Sequence, residues 1–141
     1  MSATFLIDLP SVAVGAVSVA PQTIASATTV NGSAVDMLES DGPIHGVILN
    51  GDYNAAAAVT VKLQEASDTN GPWTDIANAT LILNADASDN DMKLLFLKTD
   101  YRTKRYVRAV VTVAGTSPSA VVGVAVLGRK RISGVGTGFV S

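Results

Sequence analysis

"VTVKLQE", Val59 to Glu65, alternates without interruption: Val59, Val61 and Leu63 fall on one side of an extended chain, and Thr60, Lys62 and Gln64 on the other. Side chains of a β-strand change face at every residue, so this is the pattern of a strand with one face in a core and the other toward water. A second stretch, "YRTKRYVRAVVTV" from Tyr101 to Val113, reads the same way. Arg105, Val107, Ala109, Val111 and Val113 point to one side, and Lys104, Tyr106, Arg108, Val110 and Thr112 to the other. Both faces begin charged and end apolar, so this strand enters from a charged rim and runs into a core.

Turn signals recur at short intervals along the chain: Asn31-Gly32, Asp41-Gly42-Pro43, Asn50-Gly51-Asp52, Asn70-Gly71-Pro72, the polar run Asn84 to Asp91, Gly115 to Pro118, and Gly128. Between them, further strands are expected at about Thr23 to Thr29, Ile44 to Asn50, Trp73 to Ile76, Thr80 to Leu83 and Met92 to Lys98. Only Ala34 to Ser40 invites a helical turn. Seven or eight short strands at this spacing predict an all-β sandwich or barrel. "SAVVGVAVLG", after the turn at Thr116-Ser117-Pro118, is expected to form a hairpin with the strand before it. That pairing would set Lys104, Arg105 and Arg108 beside Arg129, Lys130 and Arg131.

The chain has 141 residues, enough for one domain with a genuine core. Its hydrophobic fraction is 48% but only 5% is aromatic, so the core is expected to be built of small and β-branched side chains, which suit sheets. The expected division is an N-terminal arm over 1–22, a β-sandwich over 23–131, and a flexible tail over 132–141, because both ends are small, Gly-rich or irregular. The apolar start lacks a leading Lys or Arg, and Asp8 and Pro10 interrupt it, so it does not read as a secretory signal. No run reaches the roughly 18 uninterrupted apolar residues of a spanning helix, and no membrane partner is expected.

Charge is unevenly spread. From Met1 to Asp91 there are eleven acidic residues and one basic, a balance of −10; from Met92 to Ser141 there are nine basic and one acidic, a balance of +8. A cationic rim formed by Arg102, Lys104, Arg105, Arg108, Arg129, Lys130 and Arg131 is therefore the candidate binding site. Three readings stand: an acidic protein partner, a solvated strand end, or nucleic acid, with Tyr101 and Tyr106 as stacking rings. Net charge of −2 and the absence of a nucleic-acid-binding motif disfavour the last.

Residues that would carry catalysis do not converge. Cysteine is absent, which removes thiolate ligands and nucleophiles, and the single histidine, His45, has no partner for acid-base work. No catalytic residue, cofactor or metal is expected. Asp86, Asp89 and Asp91 are dense enough for a hard cation but lack the Gly and distal Glu of a calcium loop, so a polar hairpin loop is the plainer reading. "GVGTG" has no helix after it to complete a dinucleotide site. Trp73 reads as a core or rim anchor, with a sugar-stacking platform as the functional alternative.

Three segments together, "VKLQEASDTNGPWTDI", "KRYVRAVVTVAG" and "VVGVAVLGRKR", resemble the small cement, or decoration, proteins of tailed-bacteriophage capsids, over roughly Val30 to Arg131. The resemblance implies a jelly-roll-like antiparallel sandwich of about eight strands without catalysis. It further implies dimers or trimers at symmetry axes on the outer surface of the virion, clamping the major capsid protein. Many weak contacts would then add up through avidity. Competing expectations are a receptor- or glycan-binding module of a tail or head fibre, marked by exposed Trp73 and Tyr53, and a head-completion or connector protein whose basic rim faces DNA.

Overall fold

The computed structural model describes residues 13–54, 57–83, 93–99 and 102–131, with backbone alone for Tyr53 and Lys93–Thr99. Among the described residues there are nine strands: β1 (Ala13–Ile24), β2 (Thr28–Asn31), β3 (Val35–Asp36), β4 (Ser40–Tyr53), β5 (Ala58–Ala66), β6 (Thr74–Leu83), β7 (Lys93–Thr99), β8 (Tyr106–Ala114) and β9 (Ala120–Lys130). They form two sheets, ordered β1-β9-β4-β7 and β2-β8-β5-β6. β3 pairs with β8 on the same side as β2, so the nine segments occupy eight strand positions. Every pairing is antiparallel. Two four-position sheets in this order make the jelly-roll form of the β-sandwich.

The core lies between the sheets. From one side come Val19, Ile44, Ile48, Val122, Val124 and Val126, and from the other Val59, Val61, Leu63, Val107, Val111 and Val113, all at most 2% exposed. The alternation of β5 is realised in full, with Thr60, Lys62 and Gln64 on the outer face. β8 behaves likewise: Val107, Ala109, Val111 and Val113 turn inward while Tyr106, Arg108 and Thr112 turn outward.

Four local expectations are corrected. Ten residues of the expected N-terminal arm, 13–22, belong to β1, which is ordered against β9 from Ala13 opposite Arg129 to Ile24 opposite Ala120. The expected strand from Thr23 to Thr29 is divided by a bend at Ala25 to Ala27. Trp73–Ile76 and Thr80–Leu83 lie largely within one strand, β6, broken in pattern by a bulge where Asn78 adopts φ 61°. Between the pairs Gln64–Asp75 and Lys62–Thr80 β6 holds three residues more than β5, an odd excess that switches faces, so Ile76 and Ala79 both face the core. Ala34 to Ser40 forms the short β3 and a turn rather than a helical turn.

A fifth correction matters most for function. β8 and β9 are not a hairpin: β8 lies in one sheet and β9 in the other. Between them Gly115 (φ 126°) and Ser117 (φ 49°) swing the chain across the sandwich, and Pro118 has no amide hydrogen to continue a ladder. Asn54 clamps this crossing, its Nδ2 donating to the Ser117 carbonyl (3.0 Å) and its Oδ1 accepting from the Ser119 amide (3.1 Å). A hairpin and a crossing impose the same alternation on the strands they join, so the pattern of β9 does not distinguish them.

Candidate functional site

Although β8 and β9 part company, their basic ends still meet, because the segment Asp36 to Asp41 is laid between them. At one end Asp36 pairs with Tyr106 of β8, and the Met37 amide donates to the Arg105 carbonyl (3.0 Å). At the other, Ser40 and Asp41 pair with Lys130 and Arg129 of β9. This strap carries three carboxylates, Asp36, Glu39 and Asp41, in six residues. The acidic first half of the chain and the basic second half are thus interleaved at one end of the sandwich. Close packing fixes the strap here: a Cβ on Gly128 would run into Ser40 Oγ and lie 2.8 Å from Met37 Cε.

The cations divide by what they touch. Arg105 meets Asp36 in a two-pronged pair, Nε to Oδ1 at 2.9 Å and Nη2 to Oδ2 at 2.7 Å, and its guanidinium lies 5.0 Å from the centre of the Tyr106 ring. Arg129 approaches Asp41 at 3.6 Å, with both side chains well exposed. Arg102 donates to the carbonyls of Lys104 (2.8 Å) and Ser40 (3.2 Å), tying the loop before β8 to the strap. Lys104 reaches Thr74 Oγ1 at 3.1 Å. Lys130 and Arg131 have no ion-pair partner among the described residues.

Arg108 stands apart on the outer face of its sheet. It donates twice to Gln64 Oε1 (3.0 and 2.8 Å) and lies 4.5 Å from the centre of the Trp73 ring. Gln64 passes the chain on to Asp75 (2.7 Å), which also takes a bond from Lys62 (3.0 Å). These contacts, from Gln64 first and Lys62 second, hold the Asp75 carboxyl below its ordinary value. Burial alone lowers the Arg108 value. Trp73 is half-buried, and Arg108 takes up one ring face, which leaves less ring for a sugar to stack on.

Sequence reading missed Glu65, which is 7% exposed. Its Oε2 accepts from the amides of Thr103 (2.7 Å) and Lys104 (3.0 Å), and its Oε1 from the Thr103 hydroxyl (2.8 Å). It fixes the loop that carries Arg102 and Lys104. The acidic strap was also missed; its signal is the density of carboxylates between Asp36 and Asp41. Tyr101, the trio Asp86, Asp89 and Asp91, and the 132–141 tail lie outside the described residues.

The Arg105 contact, with help from the Leu38 amide, pulls the Asp36 carboxyl from 3.8 down to about 2. A lowered folded-state value means that the contribution to stability is complete above the unfolded value near 4 and is lost as pH falls from about 4 to about 2. Both partners are nearly half-exposed, so the effect on unfolding is small. Carboxyl titration by nuclear magnetic resonance should place Asp36 well below 3, and Arg105→Gln should raise it only part of the way because the Leu38 bond remains. An Asp36 that titrates near 4 in the unaltered protein would show that the pair does not form in solution.

No protein-family model matches the chain, and no curated protein matches it.

Proposed function

We propose that this chain is a structural adhesion module that binds the outer surface of a tailed-phage capsid and stabilises the shell, acting as dimers or trimers on the major capsid protein. The observation that carries the reading is the charged end of the sandwich, where Arg105, Arg129, Lys130 and Arg131 alternate with Asp36 and Asp41. Interleaved charges suit a folded protein surface that also carries both signs. A phosphate backbone would meet the strap carboxylates along with the cations, which weighs against a DNA-facing connector. A glycan-binding module is disfavoured by the guanidinium already lying over Trp73.

The test targets the rim cations that have no ion-pair partner among the described residues. Lys130→Glu/Arg131→Glu protein and unaltered protein are added to stripped capsids at several salt concentrations, and bound copies are counted by gel densitometry. Two reversed rim charges should weaken attachment about tenfold at low salt. The difference should narrow at 1 M salt, where the screening length shrinks to about 3 Å. Attachment indifferent to both changes would remove the rim as the contact. Equal affinity of the unaltered protein for naked DNA and for capsids would move the assignment to a connector.

A further inference from the structure

The two outer faces of the sandwich differ in kind. On the β2-β8-β5-β6 sheet the outward positions include Thr29, Thr112, Thr60, Lys62, Gln64 and Arg108, a largely polar face on which Ile82 is an exposed apolar exception. On the β1-β9-β4-β7 sheet, the register sets Val17 beside Ala125 and Ala125 beside Val47, with Gly123 beside Leu49 in the next outward row. No Asp, Glu, Lys or Arg occurs in Gly15 to Ile24, His45 to Asn50 or Val121 to Leu127. Val17 is 56% exposed. A shallow groove lined only by apolar residues, among them Val17, Pro21, Val47, Leu49, Gly123 and Ala125, runs across the middle of this face. At the far side of β4, backbone register sets Phe96 of β7 opposite Val47, Leu94 opposite Leu49 and Lys98 opposite His45.

An antiparallel sheet with one face in the core normally presents polar residues on the other. Contiguous exposed apolar patches of several hundred Å² mark interaction surfaces. We propose that the outer face of the β1-β9-β4-β7 sheet is a self-association surface, on which a second copy of this chain seats face to face about a twofold axis. The proposal rests on the assembly reading above in expecting copies to associate, and adds the face and its symmetry.

Two features select a copy as the occupant. A twofold contact requires a patch complementary to itself, and the β1, β9 and β4 stretches of this face, which carry no Asp, Glu, Lys or Arg, meet their own image without repulsion. Size agrees as well: four strands about 4.8 Å apart, over about ten residues at about 3.3 Å each, give about 600 Å² per copy. Two copies would cover about 1,200 Å², at the lower bound of specific interfaces. Sheets packed in this way lie about 10 Å apart with strand directions within about 30°.

The full chain is tested by sedimentation and by cross-linking, which the lack of native cysteine makes site-specific. Unaltered protein should sediment as a dimer at about 100 µM, the range in which a small interface of this kind is populated. Val17→Lys/Val47→Lys should weaken association about a hundredfold, because each ammonium would be buried without a partner. Its circular dichroism should not change, since both sites are on the outside. A single Ala125→Cys should join copies through a short bis-maleimide, and Thr60→Cys on the opposite face should not. A monomer or a trimer at that concentration, a lysine variant that still dimerises, or cross-linking through Thr60→Cys in place of Ala125→Cys would overturn the assignment. Capsid attachment is scored separately with the lysine variant: a monomer that still binds capsids one copy at a time separates this face from the rim contact.

Discussion

Leu63→Ala should lower the stability of the protein by about 4 kcal/mol, because large-to-small changes at closed core sites lose both transfer energy and a cavity term. For a chain of this length that is a fall of about 12 °C in melting temperature, at about 3 °C per kcal/mol. Leu63 is fully buried, and β5 has neighbours on both sides, β6 and β8, so the site has little freedom to collapse. Ile82→Ala serves as the comparison: Ile82 is 65% exposed, and its truncation should stay within about 0.5 kcal/mol. Thermal melts of both variants read the difference. A loss below about 1 kcal/mol at Leu63 would mean that the two sheets do not close over it.

Glu65→Ala should cost about 3 kcal/mol, since hydrogen bonds to a charged group are the strong ones and three converge on this carboxylate. Glu65→Gln should cost only about 1 kcal/mol. The amide oxygen can take the place of Oε2 and accept from both backbone amides, while its NH2 donates to the Thr103 hydroxyl, which can reverse its role. The ratio between the two variants is the informative quantity. Equal losses would show that charge, rather than the pattern of acceptors, holds the loop. Because Arg102 and Lys104 ride on that loop, the alanine variant should also expose Thr103 to faster amide hydrogen exchange than the glutamine variant.

What could be read from the chain was whatever a single strand reveals about itself. Val59, Val61 and Leu63, and Val107 through Val113, announce strands because a half-buried strand must alternate whichever partner it takes. Partners are another matter. β9 is apolar at Val121, Ala125 and Leu127 as well as at Val122, Val124 and Val126, so its two faces carry the same signal, and nothing in it says which sheet it joins. The rim was legible as a basic cluster, yet its acidic complement was not. Asp36 and Asp41 lie 69 and 88 positions before Arg105 and Arg129, and only the strap between the sheets brings each pair together. Glu65 was hidden in an alternating strand, where a carboxylate at an inward position reads as the strand's end.

Among the described strands β1 is made first and its sheet partner β9 last, with Ala13 opposite Arg129. At about 10 residues per second, synthesis separates the two by roughly ten seconds. Among sheet neighbours only β5 and β6 are consecutive in sequence. A nascent chain can therefore close one hairpin early and add β7 to β4 and β8 to β5, while β1 and the other edge of β4 wait for β9. Pairing of such distant segments is slow, on the millisecond-to-second scale, and that of β1 and β4 with β9 begins only when β9 has left the ribosome. The β1-β9-β4-β7 sheet is thus completed only by the most distant pairing in the fold, and β1 and β4 stay unjoined until β9 arrives to seat between them.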